Sequence, residues 1–285
     1  MMNENAAMLD VVSRYCDDIS VQISDLISEI NAGLSAGDAS CFGTLERLHN
    51  ELHRMSGTAY CMGFRALGRE FEALDAEVLC GLNDPDGDVG AYLKGALPKL
   101  STIAMSGSDV RPRNSKLLQR SRALDELVEA ETHLEAYTDQ KNAQSRMLAR
   151  ERFLFADDDP HLRELIGSSL REMGVEDLLL AESGSEVLEA IETFKPTFII
   201  TDWMMQPVSG LSLLKQIRRG KTELDPETPI VFFTSMRSRQ DMMEANRFGV
   251  NKLIRKPVLP DAIIGVLLGI LEKKYQINKR LGALS

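Results

Sequence analysis

The chain has 285 residues, of which 44% are hydrophobic and 27% are charged, a composition typical of globular proteins and a length that suits two domains. Its net charge is −10, and residues 1–110 alone carry 7 basic and 17 acidic side chains, so we do not expect nucleic-acid binding there. The longest apolar run, Ala262–Leu271, is about half as long as a membrane-spanning helix. The N-terminus also has no basic segment followed by an apolar stretch, so we expect a cytoplasmic protein.

Residues 7–105 show the apolar periodicity of helices and no alternation typical of strands. Breaks are expected at Gly33, Gly37 and Gly63, and Asp38 or Ser40 would cap the second helix. The four predicted helices are Leu9–Leu34, one beginning near Asp38 and carrying Leu45 to Met55, one carrying Leu67 to Val78, and Val89–Ile103. Four antiparallel helices with short turns make a bundle, which we assign to residues 1–105.

Residues 106–151 are expected to connect this bundle to a second domain. The turn-rich segment 106–114 predicts a flexible joint, and a polar helix follows over about residues 115–149. The apolar positions of that helix fit two partial heptads: Leu127, Ala130, Leu134, Tyr137 and Leu148. This pattern is compatible with a dimer seam and equally with a solvated connector helix.

From Arg152 onward the sequence alternates between short apolar strands and helices. The predicted strands are Phe153–Ala156, Leu178–Ala181, Phe198–Thr201, Ile230–Thr234 and Lys252–Arg255. The helices lie near Pro160–Met173, Ser185–Phe194, Gly210–Arg219 and Ser238–Phe248, with a last one from Pro260. Five such units predict an α/β fold over residues 152–285, an open, doubly wound parallel sheet covered by helices on both faces.

The residues that can do chemistry fall at the carboxyl ends of these strands, where sheets of this kind place their sites. Asp157 and Asp158 follow the first strand, Asp202 follows the third, Thr234 closes the fourth, and Lys256 follows the fifth. Three converging carboxylates repel one another unless a cation lies between them, and such a ligand set suits Mg²⁺. A lysine and a threonine hydroxyl facing them can hold the oxygens of a phosphoryl group placed on one carboxylate.

This arrangement closely resembles the receiver domain of two-component response regulators, over about residues 152–274. The resemblance implies a flavodoxin-like, five-stranded fold in which Asp202 is the phosphoacceptor. It further implies that Asp157, Asp158, Asp202 and the backbone carbonyl of Met204 hold Mg²⁺. No other cofactor is expected.

The same resemblance implies roles for residues on the later strands. Thr234 matches the switch hydroxyl of the family, and Lys256 matches its phosphate-binding lysine, before a cis Lys256–Pro257 peptide. Gly210, eight residues after the acceptor, also matches. Two positions depart from the pattern: Gln206 stands where the family usually has proline, and Leu253 stands where it usually has an aromatic residue that reads out the switch.

In the helical third, the string HRMSGTAYCMG, which begins at His53, resembles the histidine phosphotransfer (Hpt) motif. The resemblance implies that His53 exchanges phosphoryl groups with a receiver, which requires an imidazole exposed on the bundle face, with clearance provided by Gly57. Ser56 stands where the family often has lysine. His49 lies one turn earlier, but no third residue has the spacing of a zinc ligand.

The leading hypothesis is a phosphorelay signalling protein in which an Hpt-like bundle precedes a receiver. Its partners would be a histidine kinase or other phosphorelay proteins, and its output would be protein contact. An alternative treats the bundle as a non-phosphorylated docking or dimerisation module. A haloacid-dehalogenase-type phosphatase is disfavoured because Met204 occupies the place of its second aspartate, and a histidine kinase because the sequence has no Gly-rich ATP-binding segment.

The final helix predicts association between chains. From Asp261 to Leu271, apolar residues occupy more of the helix surface than the single stripe needed to pack against a sheet. Excess apolar surface of this kind is typical of a contact site. We therefore expect a homodimer, formed through this helix or the linker helix, or a contact between the two domains that depends on phosphorylation.

Overall fold

The computed structural model describes residues 4–85, 87–106, 110–130, 142–234, 239–256 and 260–282. It divides the chain into two compact units, Met1–Asp125 and Glu126–Ser285. None of the helices in these described ranges is both long enough and apolar enough to cross a membrane.

The first unit is a bundle of four long helices, as the apolar periodicity predicts. The helices are α1 (Glu4–Ala36), α2 (Asp38–Cys61), α3 (Arg65–Leu82) and α4 (Val89–Ser106). α1 packs against α2 and α4, and α3 packs against α2 and α4. Their apolar stripes meet in a core that includes Ile19, Leu45, Leu52, Phe71 and Leu93, all of which are buried.

The predicted boundary between the first two helices needs correction. Gly33 lies inside α1, and a Cβ atom added to it would come within 2.4 Å of the Thr44 hydroxyl oxygen. Gly33 therefore allows α1 and α2 to approach each other, and the chain turns only at Gly37. The prediction that Asp38 or Ser40 caps α2 is also wrong, because Gly37 occupies the N-cap position without a side-chain cap.

The beginning of the predicted linker packs against this bundle. A 3₁₀ turn (Pro112–Asn114) leads into α5 (Lys116–Ala130), and Val110 is buried with Leu117 and Leu118. The Ser115 hydroxyl donates a hydrogen bond to the Met62 carbonyl oxygen at 2.6 Å. The prediction of a flexible joint is therefore wrong for residues 110–114. Of the heptad positions, Leu134 and Tyr137 lie outside the described residues, and the dimer seam stays a prediction.

The second unit has the flavodoxin-like fold that the sequence predicts, with a parallel sheet in the order β2-β1-β3-β4-β5. The predicted strand limits are confirmed to within one residue. The strands are β1 (Arg152–Ala156), β2 (Asp177–Ala181), β3 (Phe198–Thr201), β4 (Ile230–Thr234) and β5 (Lys252–Arg255). The helices are α6 (142–148), α7 (Pro160–Glu172), α8 (Gly184–Thr193), α9 (Gly210–Arg218), α10 (Arg239–Arg247) and α11 (Pro260–Gly282).

Capping residues fix where the helices begin after each strand. Asp159 accepts a hydrogen bond from the backbone N–H of Leu162 at the start of α7, and serines play the same part at α8 and α9. Each of these loops leaves from the carboxyl end of a strand. The order of the sheet places the ends of β1 and β3 side by side at its centre.

Most of the apolar side chains of α11 are buried. Ile263, Ile264, Leu267, Leu268 and Leu271 are all buried. The expectation that these side chains form an exposed contact site is therefore wrong, because they are buried, and α11 packs against α7. Gly265 remains exposed on the outer face, and the homodimer stays a prediction.

Candidate functional site

Three carboxylates meet at the carboxyl ends of β1 and β3. Oxygen atoms of Asp157, Asp158 and Asp202 all lie within 4.8 Å of one another. Asp157 and Asp202 are buried, whereas Asp158 reaches solvent. The structure thus brings together the three acidic side chains that the sequence assigned to one site.

Lys256 provides a buried positive charge between two of these carboxylates. Its Nζ atom donates hydrogen bonds to Asp157 Oδ2 at 2.6 Å and to Asp202 Oδ2 at 3.0 Å. The lysine follows β5, and its backbone N–H donates to the Thr234 carbonyl oxygen at 2.9 Å, which ties the ends of β4 and β5 together. The ammonium group also lies over the ring of Phe233, 5.1 Å from its centroid.

The backbone holds Asp202 in place from two sides. Its own N–H donates to the Ala156 carbonyl oxygen at 2.8 Å, and its Oδ1 atom accepts from the Trp203 N–H at 2.6 Å. The loop after β3 brings Gly210 against the backbone of Asp202. A Cβ atom added to Gly210 would lie 2.1 Å from the Asp202 carbonyl oxygen. Only glycine leaves room for this path, which is the physical reason for the glycine that the sequence analysis noted.

The charges of this site favour an additional cation. Burial and the neighbouring Asp202 and Asp158 carboxylates together raise the pKa of Asp157 to about 7, and Lys256 offsets only part of their effect. Three carboxylates facing one ammonium group leave an excess of negative charge. Oxygen donors with that excess fit a hard divalent cation such as Mg²⁺.

The structure also places the other residues that the sequence singled out on the later strands. Thr234 is buried at the end of β4, and Met204 follows Asp202 in the turn after β3. Leu253 pairs with Phe232 across the sheet and packs against the core, so an aliphatic side chain fills the position of the usual aromatic one. Pro257 lies outside the described residues, so the cis Lys256–Pro257 peptide stays a prediction. The structure has a cis peptide at Gln206–Pro207.

Sequence reasoning missed one contact to this site. Arg163, on the first turn of α7, donates to the Asp157 carbonyl oxygen at 2.6 Å and pairs with Glu182 at 3.5 Å. No motif marks this arginine, because its partner at Asp157 is a backbone atom that any residue would offer.

The histidines of the bundle share a carboxylate that the sequence analysis did not single out. Nδ1 of His49 lies 2.6 Å from Asp75 Oδ1, and Nδ1 of His53 lies 3.4 Å from Asp75 Oδ2. Only 18% of the His53 side chain is exposed, and its Nε2 atom is buried with no hydrogen-bond partner among the described residues. The expectation that this imidazole stands exposed on the bundle face is therefore wrong.

Comparison with known proteins places the second unit among signalling domains. Residues 153–267 match the family model described as the response regulator receiver domain, which covers no residue of the bundle. The chain is 34% identical over 122 residues to the chemotaxis protein CheY1 of Helicobacter pylori, an alignment that covers 41% of this chain and 97% of that protein.

Two further similarities concern the same kind of domain. The chain is 32% identical over 113 residues to the chemotaxis protein CheY homolog of Campylobacter jejuni, which covers 39% of this chain and 85% of that protein. Among solved structures, the receiver domain of the Francisella response regulator 1452 is 30% identical. That match covers 44% of this chain and 98% of that one, with a TM-score of 0.39.

Proposed function

Since the chain belongs to the response regulator receiver family through residues 153–267, we propose that this unit accepts a phosphoryl group on Asp202, with Mg²⁺ held beside it. The observation that carries the proposal is the buried Lys256 ammonium group in contact with both Asp157 and Asp202. Burying a lysine and two carboxylates gives little or no net stability, which favours a chemical role for the cluster. The phosphoryl donor would be a histidine kinase or another phosphorelay protein.

Each residue of the cluster has a distinct part in this reaction. An Asp202 carboxylate oxygen forms the bond to phosphorus, while the bond between phosphorus and the donor atom breaks and the donor keeps the electron pair. The Trp203 N–H orients the acceptor carboxylate, and Lys256 donates to the oxygens of the arriving phosphoryl group. When bound, the cation would neutralise charge between the carboxylates and the phosphoryl oxygens. Asp157, Asp158, Asp202 and the Met204 carbonyl would hold it.

Thr234 and Lys256 would report the modification to other proteins. The Thr234 carbonyl oxygen accepts a hydrogen bond from the Lys256 N–H, which joins the ends of β4 and β5. A phosphoryl group that hydrogen-bonds with the Thr234 hydroxyl would shift these two strand ends together. The output is then a changed surface that other proteins contact.

The test is labelling with acetyl phosphate and Mg²⁺, followed by mapping of the modified residue. We expect the wild-type chain to carry one acyl phosphate on Asp202 and Asp202→Asn to carry none there. Asp159→Asn is the matched control, because asparagine also caps a helix and the residue lies in the same loop as the acidic pair. Labelling of Asp202→Asn at the wild-type rate would refute the assignment.

Metal binding can be followed separately through Trp203, the only tryptophan of the sequence and the neighbour of Asp202. Addition of Mg²⁺ should change its fluorescence, and Asp158→Ala should weaken the apparent affinity at least about tenfold, because a hard cation loses a charged ligand. An unchanged affinity would contradict the metal role of Asp158.

For the bundle, we propose that His53 exchanges phosphoryl groups with a receiver through its Nε2 atom. The observation in favour is that Nδ1 faces the Asp75 carboxylate, which leaves Nε2 as the nitrogen without a hydrogen-bond partner among the described residues. Because Nε2 is buried, the side chains that cover it must move aside before it can meet a phosphoryl donor.

The test is transfer from a phosphorylated receiver to the Asp202→Asn chain, followed by a search for phosphate that survives alkali and is lost in acid, as phosphohistidine does. His53→Gln should abolish this label, whereas His133→Gln should leave it intact. If the wild-type His53 takes no label, the bundle is a docking or dimerisation module.

A further inference from the structure

The two histidines of the bundle are joined by one carboxylate. His49 and His53 lie one turn apart on α2, and Asp75 reaches them from α3. Each imidazole contacts a different oxygen of Asp75, at 2.6 Å for His49 and 3.4 Å for His53. Only 13% of the Asp75 side chain is exposed, so the group is largely shielded from water.

The protonation states of these three groups follow from their contacts. Burial raises the pKa of Asp75, but hydrogen bonds and the charges of His49 and His53 outweigh burial, so the pKa is lowered overall. An ionised carboxylate can only accept hydrogen bonds, so the Nδ1 atom of His49 carries the proton, and the nearby carboxylate favours the same tautomer in His53. In a neutral imidazole, the lone pair is then on Nε2.

The two contacts differ in strength. The Nδ1–H of His49 donates to Asp75 at 2.6 Å, whereas the His53 contact, at 3.4 Å, is longer than a normal hydrogen bond. His49 therefore fixes the orientation of the carboxylate, and the second oxygen of that carboxylate is directed toward His53.

From this geometry we propose that Asp75 and His49 are positioning residues for phosphoryl transfer at His53: His49 holds the carboxylate, and the carboxylate keeps the His53 proton on Nδ1 so that Nε2 is the nucleophile. The inference rests on the phosphotransfer role proposed above. In the transfer step, the Nε2 lone pair forms the bond to phosphorus while the bond to the aspartyl oxygen of the donor receiver breaks, and that carboxylate leaves with the electron pair. Asp75 balances the positive charge that develops on the imidazole ring or takes its Nδ1 proton.

The first measurement is of the tautomer and needs no phosphoryl donor. The full chain with ¹⁵N-labelled histidine is observed by long-range ¹H–¹⁵N NMR at about pH 8, where ordinary histidines are neutral. The sequence has four histidines, so single substitutions suffice to assign them. We expect an unprotonated Nε2 in wild-type His53 and a proton shared between both ring nitrogens in Asp75→Asn.

The second measurement is the rate at which phosphoramidate labels His53 in an Asp202→Asn background, where ammonia is the leaving group. Asp75→Asn should slow labelling about tenfold or more, the usual effect of losing a partner that orients a histidine. His49→Ala should also slow labelling, and His49→Asn should restore much of the rate, because its amide can donate from nearly the same position as Nδ1. Glu72→Gln is the matched control, since this residue on the same helix pairs with the Tyr60 hydroxyl instead of a histidine.

The outcomes separate the two proposals. If His53 is labelled equally fast in Asp75→Asn and in Glu72→Gln and its tautomer is unchanged, the positioning role is refuted while the phosphotransfer role stands. If the wild-type histidine takes no label from phosphoramidate or from a phosphorylated receiver, the phosphotransfer role is refuted and the positioning role with it.

Discussion

Replacing Asp157 with asparagine should stabilise the metal-free receiver unit while it damages the cation site. In the folded chain, burial and the neighbouring carboxylates raise the pKa of Asp157 from 3.8 to about 7, even with Lys256 in contact. At 1.36 kcal/mol per pKa unit, keeping this carboxylate ionised costs the fold up to about 4 kcal/mol. Asparagine removes the charge, keeps an oxygen for the Asp159 N–H, and leaves Lys256 paired with Asp202; its NH2 group faces the Lys256 ammonium in place of Oδ2, which offsets part of the gain.

The sign of the pH dependence follows from the raised pKa. Below pH 3.8 the carboxyl is protonated in both the folded and the unfolded state, so it has no effect. Between pH 3.8 and about 7 the folded state binds more protons than the unfolded state, and the free energy of unfolding falls as the pH rises. The advantage of Asp157→Asn should therefore be about 2 kcal/mol at pH 5 and approach about 4 kcal/mol at pH 8.

Urea unfolding in EDTA, followed through Trp203 fluorescence, measures this difference within the receiver unit. Asp177→Asn, an exposed carboxylate at the start of β2, is the control and should change stability by less than about 0.5 kcal/mol. With Mg²⁺ in place of EDTA, the wild-type chain should gain stability and the variant should not. A variant that is less stable than wild type in EDTA at pH 8, or an advantage that does not grow with pH, would refute this account of the buried charges.

Four further substitutions test other parts of the structure. Gly210→Ala places a Cβ atom 2.1 Å from the Asp202 carbonyl oxygen, so it should lower the free energy of unfolding by about 3 kcal/mol and slow acetyl phosphate labelling. Gly265→Ala meets no atom within 4 Å in the middle of α11 and should raise stability by up to about 1 kcal/mol; equal effects of the two would contradict the packing argument. Asp75 has a lowered pKa, so its stabilising effect is present above pH 3.8 and is lost as the pH falls below that value. Asp75→Asn should therefore reduce the loss of stability at acid pH, measured by circular dichroism melts over a range of pH values. An unchanged pH dependence would argue against the ion pairs. Ser115→Ala removes the side-chain oxygen that accepts from the Leu118 N–H and should cost about 1 kcal/mol of bundle stability in urea, an effect that would be absent if residues 110–118 were detached from the bundle.

Local sequence patterns determined much of this protein. The strands of the receiver unit are short apolar runs bounded by charged or turn residues, and their limits were predicted to within one residue. Parallel strands end at the same edge of a sheet, so the meeting of Asp157, Asp158, Asp202 and Lys256 could be expected from their positions directly after strands, whereas the order of the strands was not predicted. The four helices of the bundle were predicted for the same reason, since each carries an apolar stripe with helical spacing.

Tertiary structure decided what depends on contacts between distant residues. Glycine is typical of a helix end, yet Gly33 lies inside α1, where the Thr44 side chain of α2 occupies the space that a Cβ atom would fill. The many apolar residues of α11 suggested an outer contact site, yet most of them are buried, and the helix packs against α7. Asp75 carries no motif, and its pairing with His49 and His53 exists only because α3 packs beside α2. Sequence periodicity reports which face of an element is apolar; which residue fills that space, or reaches a buried nitrogen, depends on the partner element that the fold brings to it.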